Sequence, residues 1–293
     1  MSAALDAFLA LLDLEPLEIN LFRGQSRSPG WGRVYGGQVL AQALVAAGRT
    51  VEEERRAHSM HAYFLLAGDV AAPIVYTVDR ARDGGSFTTR RVVAIQHGQP
   101  IFVSTVSFHK DEQGFEHAAP APAAPGPEGL RSERDMALAA GDLLPEPLRG
   151  VLTAEQPIEY RPVDPVNPLA PENSEPTSML WMRAVGPLPD DPLVHQAVFA
   201  YASDHDFLGS AIRPHGRSFM QPTLQAASLD HAIWFHRGFR ADEWLLYHAE
   251  SPIAAGARGF VTGRAFAGGR LVASTAQEGL VRERPDRGGG RDR

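Results

Sequence analysis

The chain of 293 residues contains no cysteine. That removes disulfides, thiolate zinc sites and cysteine nucleophiles together, and it fits the reducing cytoplasm expected for this protein. No run of apolar residues approaches the length of a membrane span. Positive charge is not in excess: 28 Lys and Arg against 35 Asp and Glu leave a formal charge of −7, with pI about 5.9. No global field therefore draws in nucleic acid or an anionic membrane, and an anionic ligand must be held by local arginines. A Gly-x-Ser-x-Gly elbow is also missing, which leaves a serine nucleophile of the α/β-hydrolase kind unsupported. His58 and His61 stand three apart on an expected strand, face opposite sides, and cannot converge on a metal by themselves. No metal or cofactor is expected.

What is present is an ordinary globular balance, 44% hydrophobic and 22% charged. The acidic, amphipathic N-terminus lacks the basic region and longer apolar core of a signal peptide, and residues 4–13 read as a helix. A strand follows near Leu17 to Arg23. Gln38 to Ala47 is apolar on nearly every side, as a fully buried helix is, and Gly48 stops it. Alternating or apolar segments near 60–66, 73–80, 87–96 and 100–109 read as strands joined by tight turns. The region 116–129, with Pro120, Pro122, Pro125 and Pro127, reads as a linker, followed by a short helix near 132–140. Strands near 158–163 and 180–185 come next. Then comes a helix from Leu193 to Asp204, with Asp191 as cap and Pro192 in its first position, and strands near 225–236, 243–250, 259–267 and 270–281.

The order of elements thus repeats. Setting His61 on His231, an offset of 170, also aligns Ala62 with Ala232, Gly68 with Gly238, Gly98 with Gly268, Ser104 with Ser274 and Thr105 with Thr275. The expected organisation is α+β, two units each with an antiparallel sheet wrapped round a central helix. They span 1–112 and 156–283, joined by a Pro-rich linker at 113–155 and followed by a loose tail at 284–293.

Polar residues that break the apolar pattern are the candidates for chemistry. Asp204 ends the second buried helix, where the dipole and burial both favour a raised pKa. Ser228 begins the strand Ser228 to Gly238, and Gln277 lies on the last strand in phase with Ala273 and Thr275. Each has a bland alternative: a turn cap, a small core residue, an edge hydrogen bond. At the offset of 170, Ser228 falls on His58 and Gln277 on Ser107, while aligning the helices puts Asp204 on Ala46, so the first unit lacks the triplet. Its helix instead begins with bare Gly36-Gly37, whose N–H groups could receive an oxyanion.

Arg23-Gly24, Tyr35 to Leu44, His58 to Phe64, Gly85 to Arg91 with Ala94 to Gln96, Tyr201 to Asp204, Leu229 to Arg237 and Ala273 to Gly279 together resemble the acyl-CoA thioesterase II family of double-hotdog proteins. The resemblance implies hydrolysis of acyl-CoA to free fatty acid and coenzyme A without metal or nucleotide cofactor, in a homo-oligomer. It places the family's three water-orienting residues on Asp204, Ser228 and Gln277. Asp204 is then expected to take a proton from a water that attacks the thioester, with N–H groups around Gly37 and Gln38 receiving the developing charge. His58 is the second choice for the base. Arg90, Arg91, Arg237 and Arg258 are candidates for the coenzyme A phosphates. Two other readings remain: an enoyl-CoA hydratase using Asp204 with His205, and a non-catalytic acyl-CoA binding module.

Overall fold

The computed structural model describes residues 2–27, 30, 32–146 and 148–284, so the expected tail lies outside the described residues except for Arg284. The first unit contains α1 (Ala3–Leu12), β1 (Glu15–Glu18), β2 (Leu21–Gly24), α2 (Gly36–Gly48), β3 (Arg55–Phe64), β4 (Ile74–Asp83), β5 (Phe87–Gln96) and β6 (Gln99–Lys110). A connecting stretch carries the short helices α3 (Glu133–Ala140) and α4 (Leu148–Thr153). The second unit contains β7 (Ile158–Pro162), β8 (Thr177–Ala184), α5 (Pro192–Ala202), α6 (Gly209–Ile212), β9 (Leu224–Ser228), β10 (Asp230–Phe235), β11 (Leu245–Ala255), β12 (Arg258–Ala267) and β13 (Arg270–Glu283). Among the described residues no helix is long and apolar enough to cross a membrane.

All strands join one antiparallel sheet in the order β1-β2-β4-β5-β6-β3-β10-β13-β12-β11-β8-β7, with β9 paired to β13. The order reads alike from either end, so the sheet has a pseudo-twofold at the β3–β10 pair, where Asp230 lies opposite Tyr63 and Ala232 opposite His61. The repeat is real, but its register is not the one expected. Val75–Ile95 in the first unit matches Leu246–Phe266 in the second, Thr88–Phe108 matches Gly259–Gly279, and Ala62–Ser104 matches Ile233–Thr275. Every pair is related by an offset of 171, not 170. A one-residue slip turns each strand residue to the opposite face, so identities chosen by eye set outward positions on inward ones. In the correct register Met60 corresponds to His231, Val106 to Gln277 and Ala57 to Ser228.

A second difference concerns the strand expected at 225–236. It is broken at Leu229: β9 pairs with β13 alone, whereas β10 pairs with both β13 and β3. The Asp230 carboxylate accepts the Glu278 N–H at 2.7 Å, and the Leu229 N–H goes to the Glu278 carbonyl at 2.9 Å. A side chain thus replaces a ladder bond at the step that leads to Ser228.

Both central helices lie against the inner face of the sheet. Every residue of α2 from Gly37 to Ala47 is buried, as an all-apolar helix requires. The second begins where Asp191 caps it, its carboxylate accepting the Leu193 N–H at 2.9 Å, with Pro192 in the first position. The two helices touch end to start. A Cβ on Gly36 would stand 2.7 Å from Asp204 Oδ2, and one on Gly37 would stand 2.4 Å from the Tyr201 carbonyl oxygen. Glycine is required by this approach, since helical backbone by itself favours Ala over Gly by about 1 kcal/mol. Gly37→Ala is therefore expected to lower stability by about 1–3 kcal/mol through overpacking; a denaturant midpoint raised by the better helix former would contradict the contact.

Candidate active site

The second helix stops at Ala202, two residues earlier than its sequence pattern predicts, and Asp204 lies just beyond it. The carbonyls at this end are capped by tyrosine hydroxyls drawn from three elements. Tyr35 donates to Tyr201 O at 3.0 Å, Tyr160 to Ala202 O at 3.4 Å and Tyr247 to Ser203 O at 3.4 Å. Carbonyls at a helix end have no partner within the helix and need such donors when buried. The caps fix the backbone that carries Asp204 and surround its carboxyl with aromatic rings.

The Asp204 side chain is 6% exposed. It lies close to the start of α2, where the Gly37 N–H lowers its pKa, so it sits at the positive start of α2 as well as beyond the negative end of α5. Gln277 Nε2 donates to Asp204 Oδ1 at 3.3 Å and to Ser228 Oγ at 2.5 Å. The structure thus brings together Asp204, Ser228 and Gln277 from the helix end, β9 and β13. Burial raises Asp204 to about 7, against the bonds from Gln277 and Gly37 and the nearby His205 charge, which lower it. The end-of-helix dipole invoked from the sequence is offset by the helix start that the carboxylate faces.

Behind the three lies a residue that entered the sequence reading only as an anchor of the repeat. His231 is fully buried. Its Nδ1 is 2.9 Å from Gln277 Oε1 and its Nε2 is 3.1 Å from Ser203 Oγ. Burial lowers it to about 4, against the bond to Gln277, so it is neutral around pH 7. The signal available was its phase: His231 alternates with Ile233 and Phe235 on the inward face of β10.

His205 does not join Asp204 as a hydratase pair would require. Its Nε2 lies 2.8 Å from Glu133 Oε2 on α3, and its ring stacks on Tyr160 at 3.9 Å. Burial disfavours its charge, but the Glu133 carboxylate outweighs that and raises it to about 9, with Asp206 and Asp204 adding to the effect.

A family model described as acyl-CoA thioesterase matches residues 149–280, and one described as acyl-CoA thioesterase N-terminal domain matches 25–109. Human acyl-coenzyme A thioesterase 8 is 42% identical over 285 residues, 94% of this chain and 88% of that one. Acyl-CoA thioesterase 2 of Haemophilus influenzae is 40% identical over 283 residues, 96% of this chain and 99% of the other. The chain belongs to the acyl-CoA thioesterase family. The crystal structure of acyl-CoA thioesterase II TesB2 from Mycobacterium marinum superposes with a TM-score of 0.76 at 41% identity, covering 97% of this chain and 100% of that one. A hot dog fold protein from Alicyclobacillus acidocaldarius, 20% identical with a TM-score of 0.75 and coverage of 94% and 98%, shares the fold. The architecture is an α+β double hotdog, and the protein is a thioester hydrolase.

Other residues expected to act with these three find their partners elsewhere. Arg90 is 2% exposed and spends all five of its N–H donors inside the protein: on Thr50 Oγ1 and O, Arg82 O, Thr89 O and Asp83 Oδ1. It ties the β4–β5 hairpin to the end of α2 and has no donor left for a phosphate. The Gln38 N–H goes to Tyr35 O at 3.1 Å, while its side chain bonds Gln25 O, Gln42 and the Arg27 N–H, so Gln38 anchors the 25–27 stretch instead of offering a donor to substrate. His58 forms a bulge in β3 and bonds outward to Ser107 Oγ at 2.8 Å, between Phe87 and His109; Met60 and Val106 supply the inward pair. Arg91 is exposed and Arg237 pairs with Glu116 at 3.6 Å. Arg258 lines a cavity of about 530 Å³ with Arg217 and Arg282.

Arg90→Ala is expected to lower stability by about 2–4 kcal/mol, because the buried Thr50 hydroxyl and carbonyl and the part-buried carbonyls of Arg82 and Thr89 lose their donor, with KM for acyl-CoA unchanged. A folded variant whose KM alone rises would restore Arg90 to the substrate site. The raised Asp204 gives a linkage prediction. The folded state holds its proton up to about pH 7 and the unfolded state releases it near 4, so this group's contribution to stability is present below pH 4 and lost as pH rises through 7. Other shifted groups cancel in a comparison with wild type. The Tm of Asp204→Asn minus that of wild type should increase from pH 4 to pH 8, and a constant difference would remove the shift.

Proposed function

We propose that the thioesterase hydrolyses acyl-CoA through a water held by Asp204, Ser228 and Gln277. The observation that carries this reading is the convergence of three polar side chains on one buried point, with a carboxyl group that titrates near neutral pH. A general base is most effective when its pKa lies near the working pH. Asp204 takes a proton from the water, and the hydroxide character that develops is delivered to the thioester carbon. Gln277 and Ser228 keep the water in line, converting its attack into a local step.

We assign the Gly37 N–H, which lies beside Asp204, as the donor to the carbonyl oxygen as charge builds on it. It points out of the first turn of α2, where the dipole favours an anion. The tetrahedral adduct then collapses, the carbon–sulfur bond breaks, and the thiolate of coenzyme A leaves and is protonated. No covalent acyl-enzyme is required, which suits a chain without cysteine and without a serine elbow. For the nucleotide end of coenzyme A we favour the arginine-lined cavity, since among the described residues Arg282 there uses only its Nε, on Gln225 Oε1.

Asp204→Asn is expected to lower kcat by about 10²–10⁴-fold with far less change in KM. The wild-type kcat/KM should rise with pH through about 7 on its acid limb. Thiol release measured across pH with a panel of acyl-CoA esters tests both, and near-normal turnover by a folded Asn variant would remove Asp204 from the reaction.

A further inference from the structure

We infer that His231 is a positioning residue that sets the direction of the hydrogen-bond chain through Gln277, and that Ser228 is thereby left as the proton donor facing the reacting water. This rests on the reading of Gln277 and Asp204 given under Proposed function.

The argument is one of donor and acceptor counting. A glutamine amide has one accepting and one donating end, and nothing in its shape fixes which points where. An ionised Asp204 can only accept, so the productive orientation of Gln277 presents Nε2 to Asp204 and Ser228, and Oε1 to His231. Oε1 then needs a donor, and the neutral imidazole supplies it from Nδ1–H. This tautomer leaves Nε2 as an acceptor; the Ser203 hydroxyl stands 3.1 Å from it and 3.2 Å from the Ala200 carbonyl, and its single proton goes to the ring in this chain, not to the carbonyl. The chain therefore runs Ser203 to His231 to Gln277 to Asp204 and Ser228. Both N–H bonds of the Gln277 amide are used, and Ser228 Oγ accepts one of them. The Ser228 proton is consequently free to point at the water, whose own proton goes to Asp204.

The ring cannot turn out of this arrangement. It is fully buried, lies 5.7 Å from the Phe207 ring centroid, and has Nδ1 4.0 Å from Asp204 Oδ1. Without His231, Gln277 is free to rotate its amide, set Oε1 against the carboxylate and repel it. The first unit supplies the control. Its residue at the equivalent position is Met60, fully buried, opposite an equally buried Val106 where the second unit has Gln277. A methionine thus fits this place in the fold and carries no N–H.

The test compares His231→Met, His231→Asn and Gln277→Ala with the wild type, reading kcat, KM and the acid limb of the pH–rate profile. Asparagine can place an N–H near the position of Nδ1; methionine fills the space without one. His231→Met is expected to lose kcat at least about tenfold with KM within about twofold. Its acid limb should move to higher pH, because the Gln277 bond that holds the Asp204 pKa down is loosened. His231→Asn should recover most of kcat and return the limb toward its wild-type position. A folded His231→Met with wild-type kcat, an unmoved acid limb, or an Asn variant no better than Met would each overturn the inference. If Gln277→Ala keeps full activity, the catalytic reading falls and this inference with it. If Gln277→Ala is inactive while His231→Met is normal, only the role of His231 is lost.

Discussion

The meeting of the end of α5 with the start of α2 is the constraint on which the rest depends. Two helices of opposite polarity face each other there, and a carboxyl group stands between them. Gly36 and Gly37 allow the approach because they have no Cβ to collide with Asp204 and the Tyr201 carbonyl. Tyr35, Tyr160 and Tyr247 close off the carbonyls that the α5 terminus leaves open, and in doing so strip water from Asp204. Desolvation raises its pKa while the α2 N-terminus and Gln277 lower it, and desolvation wins.

The duplicated fold makes the specialisation of the second unit visible. At equivalent inward positions the first unit has Ala57, Met60 and Val106, and the second has Ser228, His231 and Gln277. Apolar packing in one unit is replaced by a polar chain in the other, and the chain is tolerated because each member finds a partner. In the proposed mechanism the first unit contributes the glycine start of its helix instead, so neither unit has a whole site, and the β3–β10 pairing joins both into one sheet.

The repeat, the two buried helices and the hairpin order were legible, as was the break that Asp204, Ser228 and Gln277 make in the apolar pattern, because periodicity and misplaced polarity survive in one dimension. The register of the repeat was legible only through alternation of burial. Matching identical residues gave 170, and that slip paired Gln277 with the outward Ser107 instead of the inward Val106. Arg90 shows the opposite failure. An arginine beside a turn resembles a ligand for phosphate, and nothing local shows that five internal acceptors consume it. His231 was hidden among other histidines because what distinguishes it is contact with residues 28 and 46 positions away.

By itself the sequence determined which segments become helix and strand and which polar groups interrupt the apolar pattern, since those follow from composition and period along the chain. The tertiary structure alone decided which groups are desolvated, which donors are already spent and which way the Gln277 amide points. Those properties depend on neighbours brought from distant parts of the chain, and a change of one residue in strand register reverses them.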